Sequence, residues 1–263
     1  MISGREIKEK SRFFGVPTSS IERDYSQNWL LGALYPIQMA LKGGTGIRKV
    51  YIENYRFSDD LDFTLLQTYD SETITELIRN ALTSVHDESG IAFNEEVRIV
   101  QTHTGLRGTV YFQSSVTRSN IPIGIHLDLT SPSHEQILLP LQERKIIHPY
   151  SDDLDGPVRA YSLEEMVAEK IRSLFQRSRP RDLYDVCLIA PRVEIDKVHP
   201  IFNKKCANKG LTPAISHLKM RKEFFSGGWI AALEHQIKPL PDFDKVFEDV
   251  LALLTQYQIN DEE

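Results

Sequence analysis

Features that mark secreted, membrane-spanning or disulfide-stabilised proteins are scarce in this sequence. Its 263 residues include only 2 cysteines, Cys187 and Cys206, too few for a disulfide framework and not spaced as metal ligands. No apolar run approaches the ~18 residues that a bilayer span needs, and the N-terminal segment lacks the apolar core of a signal peptide. These absences predict a cytoplasmic protein that makes no contact with a membrane.

Positive charge is also in deficit, because 31 Lys and Arg face 37 Asp and Glu and leave a net charge of -6. This balance argues against a protein that binds nucleic acid over its whole surface. Residues 159–222 differ, since they hold 14 Lys and Arg against 7 Asp and Glu. An enzyme with acidic metal ligands and a basic face for a polyanion fits this distribution. A solvated basic surface fits it equally well.

Hydrophobic periodicity predicts an α+β chain. Residues 5–41 are predicted to be helical, 47–52 to form a helical turn or two, and 72–86 to form a helix. The predicted strands are 56–65, 96–101, 108–113 and 121–130. An acidic, turn-rich segment, 148–157, is interpreted as a linker. Only helices are predicted after it: about 162–178, 181–190, 194–208, 211–223, 226–236 and 242–257. The expected architecture is a mixed-sheet domain over 1–155 and a helical bundle over 156–263.

Two aspartates on the first predicted strand are candidates for chemistry. Asp60 and Asp62 are two residues apart, so both carboxylates face one side of a strand and Leu61 faces the other. Neighbouring carboxylates repel, and a divalent cation such as Mg²⁺ removes that conflict. Taken alone, an Asp-x-Asp pattern is more typical of a solvated edge strand.

A third carboxylate, Asp128, lies on the polar face of the predicted strand 121–130. If that strand pairs beside the first, three acids can hold the two metal ions that stabilise an in-line displacement. Asp128 would also suit a general base for the attacking hydroxyl. His126 shares this face and is interpreted as a packed or surface residue.

A glycine turn precedes the aspartates. Gly43 and Gly44 let the backbone approach a ligand closely, and the hydroxyl of Thr45 offers one more donor to a phosphate. A Gly-Gly turn is usually only a turn. Followed 15 residues later by a strand that carries Asp60 and Asp62, it is a far more specific signal for a nucleotide site.

Lys170 lies within the apolar stripe of the helix predicted over 162–178, between Met166 and Leu174. A lysine on a buried face needs an anionic partner. That partner is either a structural carboxylate, with Asp182 and Asp185 as the candidates, or the phosphates of a nucleotide.

These segments together resemble the AbiEii family, nucleotidyltransferase toxins of type IV toxin–antitoxin systems in the polymerase-beta-like superfamily. The resemblance covers most of the chain and rests on Glu22–Tyr25, Trp29–Leu31, Leu41–Tyr51, Arg56–Phe63, Tyr161–Glu165, Glu169–Ile171 and Arg181–Asp185. One departure is Gly46, where an alanine is expected. The resemblance implies a nucleotidyltransferase domain followed by a helical domain.

The resemblance also implies a site. Nucleotide binding falls on Gly43, Gly44, Thr45, Arg56, Ser58 and Lys170. The metal ligands that it implies are Asp60 and Asp62, for Mg²⁺ with Mn²⁺ as a substitute, and the strand pattern described above adds Asp128 as the third. The family's lysine motif falls on Lys170 and its last aspartate on Asp182 or Asp185, which join the three metal ligands as catalytic candidates.

Three functions remain open at this stage. The first is transfer of a nucleoside monophosphate from an NTP to a nucleic acid, as family members add nucleotides to the 3′ end of tRNA. The second is nucleotidylation of a protein, and the third is a non-catalytic module that binds an NTP and a partner. A cognate antitoxin is the partner that the resemblance implies.

Overall fold

The structure is a computed structural model that describes residues 1–116 and 121–259. The chain divides into two compact units, the first spanning Met1–Tyr161 and the second beginning at Ser162. In the described residues the first unit combines helices with a mixed sheet and the second is helical, so the predicted α+β class is confirmed. No described helix is long and apolar enough to cross a membrane.

The first unit contains four of the helices that the structure describes. They are α1 (Gly4–Phe14), α2 (Thr18–Leu34), the short α3 (Gly43–Gly46) and α4 (Ser71–Ser89). A π-helical turn, Ile47–Tyr51, follows α3 directly. The strands are β1 (Met39–Lys42), β2 (Asp60–Leu65), β3 (Arg98–Thr102), β4 (Gly105–Phe112), β5 (Ile123–Thr130), β6 (Gln142–Lys145) and β7 (Pro157–Ala160).

The strands form one sheet in the order β3-β4-β5-β2-β1-β7-β6. The pairs β2/β5 and β1/β7 are parallel, and the other neighbours are antiparallel. Alternation decides which face is buried: Leu61, Phe63, Ile125 and Leu127 are at most 2% exposed. Helix α2 contacts both α4 and β5. On the opposite face of β2 and β5, the side chains of Asp60, Asp62 and Asp128 are partly exposed, whereas Thr64 is buried.

Three short strands were not predicted. β1 lies inside the segment 5–41 that was predicted to be helical, because a continuous apolar run suits a buried strand as well as a helix. β6 is a polar edge strand without alternation, and β7 is only 4 residues long. Residues 148–157, interpreted as a linker, mainly connect β6 to β7 within the first unit.

The described part of the second unit is built from helices. They are α5 (Leu163–Gln176), α6 (Pro180–Ile189), α7 (Ile195–Ala207), α8 (Ile215–Lys219), α9 (Lys222–Leu233) and α10 (Phe243–Gln256). Helix α5 begins where the side chain of Ser162 accepts a hydrogen bond from the backbone N–H of Glu165. The prediction of one helix over 211–223 is wrong, because Pro213 disfavours helical backbone in the residue before it and α8 is short.

Candidate active site

Two neighbouring strands bring the three predicted aspartates together. β2 and β5 pair in parallel with Asp62 opposite Asp128, and Asp60 is two residues before Asp62 on β2. Opposite residues of a ladder project to the same face, so the three carboxylates share one side of the sheet. All three aspartates are partly exposed, whereas the intervening Leu61 is fully buried. We call Asp60, Asp62 and Asp128 the aspartate cluster.

A cationic side chain contacts the aspartate cluster. Arg107 lies opposite Asp128 on β4, and its Nε donates a 2.6 Å hydrogen bond to Oδ1 of that carboxylate. The hydrogen bond and the charge of Asp128 raise the pKa of the Arg107 guanidinium, and the charges of Asp60 and Asp62 contribute to the rise. The cluster therefore already accommodates a positive charge, and its hard oxygen donors fit a divalent cation such as Mg²⁺.

The side chains of the cluster are not closed into a metal cage. Among residues 1–116 and 121–259, no three His, Cys, Asp or Glu side chains stand together as a group that could hold a metal ion. One oxygen of Asp128 is engaged by Arg107. Mg²⁺ itself usually takes only one or two protein carboxylates beside waters and substrate phosphates. The predicted three-carboxylate metal site therefore stays a prediction.

The glycine turn lies directly on the aspartate cluster. Gly43 has a φ angle of 71°, in the left-handed region that side chains rarely allow. A Cβ atom at Gly43 would lie 2.3 Å from Oδ2 of Asp62, and one at Gly44 would lie 2.5 Å from Nη2 of Arg56. The close approach of the turn to a carboxylate and a guanidinium is thus possible because neither position carries a side chain.

Three further residues were predicted to bind nucleotide: Thr45 within the turn, Arg56 against Gly44, and Ser58 shortly before β2. Thr45 is fully buried, and its hydroxyl donates to the main-chain oxygen of Asp60. This hydrogen bond ties the turn to β2, and the expected donation from Thr45 to a phosphate stays a prediction. Arg56 is 3% exposed and donates from Nη1 to the main-chain oxygen of Phe57 at 3.1 Å. Ser58 is half-buried just before β2.

Helix α2 holds the two aspartate-bearing strands in place. Arg23 donates from Nη1 to Oδ1 of Asp59 at 2.6 Å and from Nε to the main-chain oxygen of Gly124 at 3.2 Å. Asp59 directly precedes β2 and Gly124 lies near the start of β5, so one side chain bridges both strands. Gln27 adds 3.1 Å bonds from Nε2 to the main-chain oxygens of Ser58 and Asp59.

A buried charge cluster anchors the chain that follows the glycine turn. Asp24 accepts hydrogen bonds from Nε of Arg48 and Nζ of Lys49, both at 2.5 Å, and from the hydroxyl of Tyr150 at 2.7 Å. Burial acts to raise the pKa of Asp24, but the charges of Arg48 and Lys49 outweigh it and hold that pKa well below its ordinary value. Asp24 thereby fixes the π-helical turn Ile47–Tyr51 to α2.

In the second unit, Lys170 meets both of its predicted aspartate partners. Its Nζ lies 2.7 Å from Oδ1 of Asp182 and 2.7 Å from Oδ2 of Asp185, and Nε of Arg177 lies 2.8 Å from Oδ2 of Asp182. Asp182 and Asp185 are 2% and 0% exposed. Burial acts to raise the pKa of Asp182, but the two cations hold it below its ordinary value. The buried lysine thus has a structural anion pair, and its catalytic role stays a prediction.

Sequence reasoning passed over Arg107 and treated Arg23 only as part of a motif. Arg107 alternates with the buried Leu106 and Gly108, and that period of two already indicates an exposed strand face. Its relation to Asp128 depends on the β4/β5 register, which no local pattern reveals.

Solved structures match this architecture. MenT4, a nucleotidyltransferase toxin from Mycobacterium tuberculosis, matches with a TM-score of 0.64 and 15% identity over 98% of this chain and 92% of that one. JHP933 from Helicobacter pylori matches with a TM-score of 0.61 and 15% identity over 92% of this chain and 93% of that one. Identity this low shows the fold alone, which is that of a nucleotidyltransferase. A search of curated protein sequences gives no match.

The family follows from the sequence itself. Residues 29–252 match the family described as nucleotidyl transferase AbiEii toxin of the type IV TA system. The chain belongs to this family and is a nucleotidyltransferase, which confirms the resemblance noted above. Family membership implies an NTP substrate and a cognate antitoxin.

Proposed function

We propose that the protein uses Mg²⁺ to transfer a nucleoside monophosphate from an NTP to the 3′ end of a tRNA in the cytoplasm. Asp60, Asp62 and Asp128 hold the metal, with Mn²⁺ as a substitute, and the backbone of Gly43 and Gly44 contacts the triphosphate. The observation that carries this proposal is the close approach of the turn to Asp62. A Cβ atom at Gly43 would lie only 2.3 Å from Oδ2 of that carboxylate. A site that binds phosphates through the turn and a cation through the aspartates needs these groups in contact.

The proposed reaction is an in-line displacement at the α-phosphorus. When bound, the divalent cation neutralises phosphate charge and polarises the reacting phosphoryl group. The acceptor hydroxyl gives its proton to Asp128 and attacks the α-phosphorus, the bond to the bridging oxygen breaks, and pyrophosphate leaves. Arg56, held against Gly44, supplies positive charge beside the turn, and we assign Ser58 to the same nucleotide-binding set.

Two alternative roles are proposed for Lys170, Asp182 and Asp185. Their place in the family motifs supports contact between Lys170 and the nucleotide. Their mutual 2.7 Å contacts support a pair that joins α5 to α6. The effect of a Lys170 variant on stability and on transfer rate distinguishes the two roles.

Charge supports a nucleic acid as the acceptor. The buried charged residues of the basic segment 159–222 are three cations, Lys170, Arg172 and Lys205, and three anions, Glu165, Asp182 and Asp185. Because these cancel, the positive excess of the segment is carried by side chains that are not buried. Such an excess favours contact with phosphates of a polyanion.

One labelling experiment tests the function and its alternatives. The protein is incubated with Mg²⁺, total RNA and each α-³²P-labelled NTP in turn, alongside an Asp62→Asn variant. We expect label in the tRNA band for the unmodified protein and none for the variant. Label in a protein band instead would support nucleotidylation of a protein. No label in any band, with NTP binding retained, would support a non-catalytic module.

A further inference from the structure

The cation that contacts the aspartate cluster belongs to the protein itself. Arg107 projects from β4, and its Nε is joined to Oδ1 of Asp128 by a 2.6 Å ion pair. We propose that Arg107 is a positioning residue that holds Asp128 before a divalent cation binds and releases it afterwards, so that the cation binds tightly only together with the NTP. This inference rests on the metal-dependent transfer proposed above.

Arg107 and a divalent cation compete for one carboxylate. A cation coordinated to Asp128 while the ion pair persists would meet a like charge a few ångströms away. At about 4 Å, repulsion between a unit charge and a divalent cation weakens cation binding by about 30-fold, even in water. The pair itself is exchangeable, because its side chains are 53% and 36% exposed and exposed ion pairs contribute little stability.

Arg107 is placed to act on the whole cluster. The register sets Arg107 opposite Asp128 and Asp128 opposite Asp62, so the three side chains lie in one row across β4, β5 and β2. The charges of Asp60 and Asp62 as well as that of Asp128 help to raise the pKa of the guanidinium. A guanidinium is protonated in proteins in any case, so Arg107 counts as a full positive charge against an incoming cation.

A triphosphate offers Arg107 another partner. Guanidinium groups pair well with phosphate oxygens, and the proposed phosphate-binding turn lies against Asp62 in the same cluster. The phosphates of an NTP at the turn would thus pair with the guanidinium once it leaves Asp128. The same phosphates would also attract the bound cation. Binding of NTP and of cation then strengthen each other, by linkage, to the same degree.

The test is a Mn²⁺ titration of the intact protein, followed by the electron paramagnetic resonance signal of free Mn²⁺. It is run without nucleotide and with the α,β-methylene analogue of the NTP that labels RNA. The variants are Arg107→Gln, Arg107→Lys and the matched control Arg98→Gln. Arg98 is an exposed arginine on the next strand, β3, where it pairs with Glu96 instead of an aspartate of the cluster.

We expect Arg107→Gln to bind Mn²⁺ between about fivefold and about 30-fold more tightly than the unmodified protein when nucleotide is absent, with the smaller gain at high salt. Arg107→Lys, which keeps the charge, should stay close to the unmodified protein, and Arg98→Gln should not differ from it. The gain in Mn²⁺ affinity caused by the nucleotide should shrink in Arg107→Gln. Equal or weaker Mn²⁺ binding by Arg107→Gln would overturn the inference.

An Asp62→Asn variant separates this inference from the proposed function. If Mn²⁺ binding depends on Asp62 but not on Arg107, the inference fails and the metal assignment stands. If Mn²⁺ binding is the same with and without the Asp62 carboxylate, the metal assignment itself fails.

Discussion

The aspartate cluster of the first unit and the aspartate pair of the second differ in how far they are buried. Asp182 and Asp185 are buried and share Lys170 at 2.7 Å, and Asp182 also pairs with Arg177 at 2.8 Å. The aspartate cluster 60/62/128 is partly exposed, and Asp128 accepts a hydrogen bond from the exposed side chain of Arg107. The second group is closed off from solvent together with its cations, whereas the first stays accessible to a ligand.

The Asp24 cluster provides a reference for this comparison. There one carboxylate meets two buried cations, Arg48 and Lys49, and the result is an anchor for a backbone turn. A buried charge that is compensated in this way supports a fold but leaves no charge for a substrate. Burial therefore favours the aspartate cluster for catalysis and favours a structural role for Lys170 with Asp182 and Asp185.

The largest loss of nucleotide transfer should come from the substitution Asp62→Asn. Loss of this carboxylate is expected to lower nucleotide transfer by about 10³-fold or more, because metal-centred charge stabilisation is lost. Asparagine keeps the size of the side chain, so the fold should be retained. Labelling rate and melting temperature on the same preparation check both points. Toxicity on overexpression should disappear with the activity, and toxicity that persists would favour a non-catalytic role.

Lys170→Ala should mainly lower the stability of the protein and should affect nucleotide transfer less. It leaves two buried carboxylates without their shared cation, which costs about 3–5 kcal/mol of unfolding free energy. Urea unfolding measures this loss, and the transfer rate is then taken at a temperature where the variant is folded. A large loss of transfer rate at unchanged stability would show that Lys170 acts on the nucleotide. The contrast between the two groups of aspartates would then be wrong.

The two glycines of the turn should differ from each other. Gly43→Ala places a side chain at a φ of 71°, which costs about 1–2 kcal/mol, and pushes it against Asp62. Gly44→Ala keeps an ordinary backbone conformation and meets the guanidinium of Arg56, at the far end of its side chain. We therefore expect NTP affinity to fall further in Gly43→Ala than in Gly44→Ala. The bulkier Gly44→Val should lose as much affinity as Gly43→Ala. Equal, full affinity in all three variants would mean that the turn does not bind phosphate.

The smallest effect concerns the pH dependence of Asp182. Its pKa is lowered in the folded protein, so its stabilising contribution is fully present above the unfolded value of about 3.9 and is lost as pH falls towards the folded value. The stability difference between the unmodified protein and Asp182→Asn should be constant from pH 7 to about 5 and should narrow below that. Urea titrations at each pH check it, and a difference that widens in acid would contradict the ion pair.

Strong local periodicity made much of the fold predictable. β2, α4 and β5 were predicted close to their observed bounds, because alternation or a 3.6-residue period is visible within each segment. β1, β6 and β7 were missed, because 4 residues carry too little pattern and their identity as strands depends on distant partners. The same limit applies to the site, where Asp60 and Asp62 could be found from spacing but Arg107 could not.

The sequence by itself determined that two aspartates share a strand face, that a glycine turn precedes them, and that Lys170 needs an anion. Each of these follows from the chemistry and spacing of residues close in the chain. Only the tertiary structure decided that Lys170 takes both Asp182 and Asp185, that Gly43 rests on Asp62, and that Arg107 engages Asp128. The physical reason is that strand register and helix packing join residues distant in sequence, and the energies that select them arise from burial and charge across those contacts.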